Sequence, residues 1–362
     1  MLTDLFGAVG GIQTFNRGLV KALDETADRR GWKVTLLVLN DRRKDPCNSR
    51  YFSPERTRYK AFNQCKTSFT ASALRHSRHA SILIIGHVHF APLCLGVRLI
   101  RPEIQILLMV YGQEVWKRLS IFQRLGVERT TRVLSISAYT RDQMALHNNL
   151  EPGHFGILPC ALDPFYGEDA TNKSREDLSL PHGKMILSVA RLEVSEQKGI
   201  DRVIEMLPAV VQRVPDVFFV VIGEGTNRPR LQELAREVGV REKVIFVGRV
   251  SDDLLQSYYQ ACDVFALPSL LEGFGIVFLE AMFEGKPCVG VRAGAIPEVI
   301  QDGITGFLCK PGDSKALADA LTGLLTNEHL SLDMGEAGKE RLEREFSFRA
   351  FQTRVEASLD RR

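Results

Sequence analysis

Short apolar runs rich in β-branched residues alternate along the chain with segments of helical periodicity. The runs are apolar on both faces, which is typical of parallel strands buried on both sides of a sheet. The predicted strands are Val34–Leu39, Ile82–Ile85, Ile104–Val110, Val133–Ser137, Met185–Val189, Val217–Ile222, Val244–Val247, Val264–Leu267 and Pro287–Val291. The predicted helices are Gly11–Asp28, Thr140–His147, Ile200–Arg213, Arg228–Val238, Asp252–Ala261 and Gly275–Gly285. The opening strand is limited to Met1–Leu5, which is short for a central strand and fits either a truncated start or a stubby strand.

This alternation predicts an α/β protein made of two doubly wound units. The 362 residues also exceed what one hydrophobic core usually serves. We expect the junction near Pro159–Tyr166, where the pattern becomes irregular. The prediction is therefore an N-terminal domain over 1–160, a C-terminal domain over 161–340, and a final helix over 341–362 that packs back toward the N-terminal domain.

Composition places the chain among ordinary globular proteins, with 44% apolar and 25% charged residues. The seven cysteines are scattered, with no CxxC and no metal-ligand spacing, which favours reduced thiols in a cytoplasmic protein and no metal site. No signal peptide is apparent, and no apolar run reaches the roughly 20 residues needed to span a bilayer.

Net charge is +3 but unevenly distributed. Residues 1–150 carry 23 Lys and Arg against 11 Asp and Glu, whereas the remainder is acidic. Either the two domains merely differ in surface composition, or the first meets an anionic partner such as a membrane face, a lipid phosphate or an acidic polymer. Nucleic acid is disfavoured because no basic patch interleaved with aromatic residues occurs.

Two glutamates flank a predicted helix start. The segment runs from Glu272 through Gly273, Phe274 and Gly275 to Glu280, after a predicted strand. Free amides and the dipole at a helix start favour a phosphate, and glycines let a ligand approach closely. Eight residues span about 12 Å at helical rise, which is too far for the carboxylate pair of a glycoside hydrolase. The pair instead suits a nucleotide sugar, with hydroxyls bound at each end and the diphosphate between.

Two cations occupy the ends of another strand–helix connection. Arg191 follows the strand Met185–Val189, and Lys198 precedes the helix Ile200–Arg213. Such charges can neutralise a departing diphosphate. The alternative, two solvated surface charges, would be favoured for either residue alone.

Further glycines lie at strand ends. Gly10 and Gly11 separate the first strand from the first helix and leave amides free for phosphate. Gly223 follows one strand, while Arg249 and Val250 follow the next; either pocket walls or simple turns explain them. The first glycine pair is not GxGxxG, so a nicotinamide or flavin enzyme is disfavoured.

In this order, the motifs resemble those of retaining family 4 glycosyltransferases of GT-B fold, together with Gly294-Ala-Ile-Pro-Glu298. The resemblance implies two Rossmann-like domains facing across a cleft and metal-independent transfer with retention. It assigns the ribose to Glu280, the donor sugar to Glu272, and the diphosphate to Arg191 and Lys198. It also implies that Gly10 and Gly11 approach the phosphate, and that the segment around Arg249 and Val250 borders the base.

The sequence departs from this family at one position. Many members carry His-Gly directly after the strand that corresponds to Ile104–Val110. Here Tyr111 precedes Gly112, and an ordinary tyrosine pKa near 10 makes a poor base at neutral pH. A front-face mechanism, in which the leaving phosphate takes the acceptor proton, needs no such base. His87 and His89 are alternative candidates for the acceptor side. The other interpretation is that each has a structural role.

The hypothesis is hexosyl transfer from a UDP-sugar, glucose-like by default, to a glycan or lipid-linked acceptor in polysaccharide or glycolipid synthesis. No cofactor is expected beyond the nucleotide-sugar co-substrate. GDP-mannose stays open, as do a nucleotide-sugar epimerase and a non-catalytic nucleotide-sugar-binding protein. The expected location is cytoplasmic, with peripheral contact between the basic N-terminal domain and the inner face of the membrane.

Overall fold

A computed structural model describes residues 1–7, 10–42, 49–168 and 170–360. The chain forms two compact units, one of Met1–Pro164 with Phe346–Arg362 and one of Phe165–Glu345. The predicted domain boundaries fall a few residues before each division. The six cysteines in the described ranges are free thiols, and Cys47 lies outside them.

The secondary structure alternates along the chain. The strands are β1 (Val34–Val38), β2 (Thr57–Ala61), β3 (Ile82–Ile85), β4 (Gln105–Val110), β5 (Arg132–Ser135), β6 (Phe155–Ile157), β7 (Met185–Val189), β8 (Phe218–Ile222), β9 (Val244–Gly248), β10 (Val264–Ala266), β11 (Cys288–Val291) and β12 (Gly306–Cys309). The α-helices are α1 (Gly11–Arg30), α2 (Lys66–Ser77), α3 (Leu93–Ile100), α4 (Ile121–Val127), α5 (Ala138–Asn148), α6 (Ile200–Arg213), α7 (Arg228–Glu237), α8 (Asp252–Ala261), α9 (Ile276–Phe283), α10 (Ile296–Val299), α11 (Ser314–Thr326), α12 (Glu328–Arg341) and α13 (Phe348–Leu359).

In the first unit, β1 pairs with β2, and β3, β4, β5 and β6 form a second parallel sheet. The start of the chain lies between the two sheets. The Leu2 N–H donates to the Leu37 carbonyl at 2.9 Å, and on the other side the Gly86 N–H donates to the Met1 carbonyl at 2.7 Å. The spatial order is therefore β2, β1, the chain start, β3, β4, β5, β6, which is a Rossmann-like order.

The predicted strand Met1–Leu5 is wrong in its extent, because only Leu2 forms a bridge. The next amides turn away from the sheet. The N–H groups of Leu5, Phe6 and Gly7 donate to the buried carboxylate of Asp41 at 3.0–3.1 Å. The carboxylate oxygens therefore accept the hydrogen bonds that a neighbouring strand would otherwise accept from these amides.

The last helix completes the first unit. Helix α13 packs against α1, with the rings of Phe351 and Phe15 edge to face at 5.4 Å. Gln352 on α13 also donates to Glu25 on α1. The chain therefore returns to the first unit after the second is complete.

The second unit holds one six-stranded sheet in the order β12, β11, β10, β7, β8, β9. All of its paired strands are parallel. The chain starts in the middle at β7, moves outward to β9, and then crosses back to β10. The order reverses between β7 and β10, and this switch point is where open parallel sheets bind ligands, at the carboxyl ends of the strands.

Candidate active site

Charged residues meet at the switch point of the second unit. Arg191 follows β7, Lys198 ends the same connection, and Glu272 follows β10. Because β7 and β10 are parallel neighbours, both connections leave the sheet at one edge. The structure thus brings together residues that lie about 75 positions apart in the sequence.

Lys198 and Glu272 form an ion pair with 3.0 Å between Nζ and Oε2. Their side chains are 18% and 15% exposed, so the pair is largely shielded from water. The two loops are also joined through the backbone, since the Leu270 N–H donates to the Gln197 carbonyl at 3.0 Å. A Cβ on Gly199, whose φ is +76°, would lie 2.2 Å from the neighbouring loop's carbonyl oxygen. Only glycine allows this approach, which sets the spacing of the ion pair.

Glu272 is fixed from its other side by the Gly294-Ala-Ile-Pro-Glu298 segment. The Ala295 N–H donates to the Glu272 carbonyl at 3.0 Å. Gly294 has a φ of +57°, and a Cβ there would lie 2.5 Å from the same carbonyl oxygen. This segment therefore contacts Glu272 through its backbone. Together with the loop that carries Lys198, it holds the Glu272 peptide in place.

Helix α9 begins beside Glu272. Its N-cap, Gly275, has a φ of +95° and no side chain to satisfy the first amides, and the first turn contains no acidic residue. Gly273 is half-buried and Phe274 is buried just before it. An eight-residue helix with an open, uncapped start favours an anion.

Glu280 sits in the last turn of α9 in a different environment. The Tyr259 hydroxyl donates to its Oε2 at 2.7 Å. Burial raises the pKa of the Glu280 carboxyl from 4.5 to about 7; the Tyr259 hydrogen bond opposes this rise, and the Asp252 charge adds to it. The Tyr166 pKa is also raised, chiefly by burial and then by the Glu280 and Glu284 charges. The Tyr166 hydroxyl is buried and has no hydrogen-bond partner within the described ranges.

The remaining predicted donor residues of this unit separate into two groups. A Cβ on Gly223 would lie 1.8 Å from the Ala190 carbonyl oxygen, and the Gly223 N–H donates to the Gly248 carbonyl. Close packing of adjacent strand ends is thus sufficient to explain Gly223. Arg249 is exposed and Val250 half-buried directly after β9, so both are accessible to a ligand.

A cavity of about 340 Å³ lies beside these loops. Its lining includes Arg191, Lys198, Lys310 and Asn227. The Asn227 side-chain oxygen is buried without a hydrogen-bond partner in the described part of the chain. The excess of cations favours an anionic ligand at this edge.

In the first unit, the structure clusters all three predicted acceptor-side residues. The rings of His87 and His89 are 4.4 Å apart, and those of His87 and Tyr111 are 6.2 Å apart. His89 is exposed, whereas His87 is buried and its Nδ1 accepts from the His89 N–H. Burial, followed by the neighbouring His89, lowers the pKa of His87 to about 4. His87 is therefore neutral at pH 7, with its proton on Nε2.

Tyr111 is buried, and its hydroxyl donates to Asn16 Oδ1 at 3.1 Å. Asn16 in turn donates to the Asp4 carbonyl at 2.8 Å. Burial raises the Tyr111 pKa well above its usual value, with a smaller effect from the Glu114 charge. Tyr111 is a neutral structural donor here. Gly10 and Gly11 are exposed at the start of α1, where Gly10 is the N-cap.

Sequence reasoning missed Tyr259, Tyr166 and Asn16. Tyr259 and Asn16 are hydrogen-bonded to residues distant in sequence, and the Tyr166 ring packs against the Phe283 ring at 5.1 Å. No local motif marks any of the three. Within the described ranges, His, Cys, Asp and Glu form no group able to hold a metal ion. No helix in those ranges is both long and apolar enough to cross a bilayer.

Known proteins resemble this chain in sequence and in fold. Residues 170–341 match the model of the family described as glycosyl transferases group 1. The N-acetyl-alpha-D-glucosaminyl L-malate synthase of Bacillus anthracis is 28% identical over 289 residues, covering 76% of this chain and 74% of that protein. The GDP-mannose-dependent alpha-(1-6)-phosphatidylinositol monomannoside mannosyltransferase of Mycolicibacterium smegmatis is 32% identical over 254 residues, covering 65% of this chain and 64% of that protein.

Among solved structures, Anabaena Alr3699/HepE in complex with UDP and glucose superposes with a TM-score of 0.78 at 18% identity, covering 99% of this chain and 98% of that one. This likeness shows the fold. The predicted α/β architecture of two Rossmann-like domains is confirmed. Through residues 170–341 the chain resembles the group 1 glycosyl transferases, and its fold is GT-B.

Proposed function

We propose that this protein transfers a hexose, with retention, from a nucleoside diphosphate hexose to a glycan or lipid-linked acceptor. The observation that carries the proposal is the Lys198–Glu272 ion pair at the switch point, beside the open start of α9. The pair supplies a carboxylate for sugar hydroxyls and a cation for a phosphate within a few ångströms of each other. A glycosyl donor presents these two groups next to each other.

Each residue then has a distinct task. The first amides of α9 and the charges of Arg191 and Lys198 stabilise the diphosphate as it leaves with extra negative charge. Glu272 accepts hydrogen bonds from the sugar, and its doubly anchored peptide keeps the carboxylate in position. Glu280 accepts hydrogen bonds from the ribose. The leaving phosphate takes the acceptor proton, so no side-chain base is required.

The other assignments rest on the family resemblance. We propose that Arg249 and Val250 border the base, that Gly10 and Gly11 offer amides to the donor, and that His87 and His89 lie on the acceptor side. Gly223 contributes near the donor only by allowing neighbouring strand ends to pack closely. Tyr111 supports this region through α1 without taking part in proton transfer.

The donor is tested by measuring binding of UDP-glucose and GDP-mannose to the purified chain by calorimetry. UDP-glucose is our first choice, and the fold neighbour solved with UDP and glucose supports it. GDP-mannose is the specific alternative, supported by the name of the mycobacterial relative. Binding of neither nucleotide sugar would contradict the proposed site.

The residue assignments are tested by Glu280→Ala and Glu272→Ala. The first should weaken nucleotide binding, whereas the second should leave nucleotide binding near normal and lower transfer of the sugar. Glu237→Ala, at an exposed glutamate of α7, is the matched control and should change neither. Normal turnover of both site variants would refute the assignment.

Three further measurements separate the reaction from its rivals. NMR of the product's anomeric proton tests retention, and transfer in excess EDTA tests whether a metal is needed. An epimerase would alter the sugar without any acceptor. A non-catalytic binding protein would hold the nucleotide sugar without hydrolysis or transfer across a broad acceptor panel.

The acceptor and the location form the last part of the proposal. The basic first unit suits an anionic membrane face, where a lipid-linked acceptor would be found. We therefore propose a cytoplasmic protein in peripheral contact with the inner face of the membrane, acting in polysaccharide or glycolipid synthesis. Fractionation of cells expressing the chain, followed by immunodetection, tests this location.

A further inference from the structure

Helix α4 of the first unit exposes a row of large apolar side chains. Ile121 is 69% exposed, Phe122 64% and Leu125 39%. Leu125 lies four positions after Ile121 and three after Phe122, so it neighbours both on one face of the helix. A capping box between Ser120 and Gln123 fixes the helix start directly before them. The apolar row is therefore part of a defined helix.

Helix α3 carries two further exposed apolar side chains. It packs against α4, and Leu99 and Ile100 in its last turn are 86% and 38% exposed. A Cβ on Gly126 of α4 would lie 2.1 Å from the carbonyl oxygen of Ala91, two residues before α3 begins. Arg98 donates to the Arg129 carbonyl at 2.8 Å, which ties the end of α3 to the residues after α4. We call the five apolar residues of these two helices the α3–α4 surface.

Single exposed apolar residues are normal, but three on one face of a short helix indicate an interaction site. The surrounding charge identifies the partner's chemistry. Residues 98–129 contain six basic and three acidic residues. Lys117 and Arg118 are exposed just before α4, and Arg129 is exposed just after it. Arg124, on α4 itself, is paired with Glu128.

We propose that the α3–α4 surface docks the protein on an anionic lipid bilayer. The apolar side chains enter the boundary between headgroups and acyl chains, and the flanking cations meet the lipid phosphates. A short amphipathic helix with bulky apolar residues at its start and Lys and Arg beside it suits this interface better than a neutral protein surface. The inference gives the proposed membrane contact a specific surface. Vesicle binding requires no sugar transfer, so its failure is distinguishable from failure of the proposed reaction.

The test is flotation of the full chain with vesicles of phosphatidylcholine alone or mixed equally with phosphatidylglycerol. We expect binding to the anionic vesicles that weakens as salt rises. The double variant Lys117→Gln/Arg118→Gln should lower partitioning by about 25-fold, since each basic residue near the surface contributes about fivefold. Ile121→Ser/Phe122→Ser should lower it by about 100-fold, since each burial is worth roughly a factor of ten.

Matched controls separate this surface from general charge and general hydrophobicity. Lys66→Gln/Arg75→Gln removes two exposed cations from α2, and Leu332→Ser removes a side chain that is 61% exposed on α12. Both controls should bind vesicles like the unaltered chain, and all variants should keep the same melting temperature.

Several outcomes would overturn the inference. Absence of binding to anionic vesicles at low salt is one, and equal losses in the test and control variants are another. Equal, salt-insensitive binding to both kinds of vesicle would show that the charge plays no part. Self-association that Ile121→Ser/Phe122→Ser abolishes, with vesicle binding unchanged, would assign the surface to a second copy of the chain.

Discussion

The raised pKa of Glu280 predicts that replacing this carboxyl will stabilise the protein while harming its function. Burial moves the Glu280 pKa from 4.5 to about 7. Since each pKa unit corresponds to about 1.4 kcal/mol, the ionised side chain costs the folded state roughly 3 kcal/mol above pH 8. Glu280→Gln removes this cost and keeps an oxygen that can accept from Tyr259.

The sign of this pH dependence follows from how tightly the folded and unfolded states bind the Glu280 proton. The folded state holds the Glu280 proton more tightly than the unfolded state does, so acid favours folding at this site. The contribution is fully present below pH 4.5 and is lost as pH rises through 7. The Glu280→Gln variant should therefore gain about 2–3 kcal/mol relative to wild type between pH 5 and pH 8.5.

The assay is urea unfolding of both proteins at a series of pH values. New contacts of the amide add an offset that does not vary with pH, and the titrating groups that do not interact with Glu280 cancel in the difference. The slope of that difference is therefore the diagnostic quantity. A difference that stays flat from pH 5 to pH 8.5 would refute a desolvated Glu280, whatever the absolute stability of the variant.

Nucleotide binding provides the functional half of this prediction. If the ribose hydroxyls donate to ionised Glu280, affinity depends on the ionised fraction, which is about one tenth at pH 6 and nine tenths at pH 8 for a pKa near 7. Calorimetry should therefore show roughly tenfold weaker UDP binding at pH 6 than at pH 8. Glu280→Gln is the control, because it retains only the titration of the nucleotide itself. Identical pH profiles for the two proteins would remove Glu280 from the nucleotide site.

The remaining predictions concern backbone and side-chain anchors. Lys198→Met removes the ion pair with Glu272 and should lower kcat/KM at least about 100-fold in a transfer assay, with partial rescue in Lys198→Arg; unchanged kinetics would exclude the pair from the reaction. Gly294→Ala should lose about 2–3 kcal/mol in urea unfolding, because a Cβ collides with the neighbouring peptide at positive φ. Gly303→Ala, at positive φ with open space around it, should cost only about 1 kcal/mol, and equal losses would contradict the steric argument. Tyr111→Phe should cost about 1–2 kcal/mol for the lost hydrogen bond and leave turnover within about twofold; a turnover loss beyond 100-fold in folded protein would assign its hydroxyl to the reaction.

The sequence predicted the second unit better than the first for a physical reason. The run Met185–Val189 and the helices Ile200–Arg213 and Asp252–Ala261 match the structure residue for residue. Strands buried on both faces form uninterrupted apolar runs, which periodicity detects easily. In contrast, β2 reads Thr-Arg-Tyr-Lys-Ala with alternating exposure, and it lies at a sheet edge. An edge strand needs few apolar residues, so its pattern was missed.

The site was partly predictable because topology, and not side-chain contact, brings its loops together. Parallel strands place their carboxyl ends at one edge, which explains why the residues after β7 and β10 lie near each other. The ion pair between Lys198 and Glu272 could not be predicted in this way, since a cation in that loop has several anions within reach. The same limit applies to Tyr111, whose position suggested chemistry until its hydroxyl was found bonded to Asn16.

Glu272, just before α9, and Glu280, in its last turn, illustrate why equal residue types can have different roles. Glu272 faces a cation at 3.0 Å on loops that glycines hold close together. Glu280 faces the hydroxyl of Tyr259, with Tyr166 nearby, where burial brings its pKa near neutrality. A fixed, paired carboxylate suits orientation of a neutral sugar beside a departing phosphate. If Glu280 holds the other end of the donor, as proposed, its titration near pH 7 makes that binding depend on pH, and the pH profile of nucleotide affinity then distinguishes the two ends of one ligand.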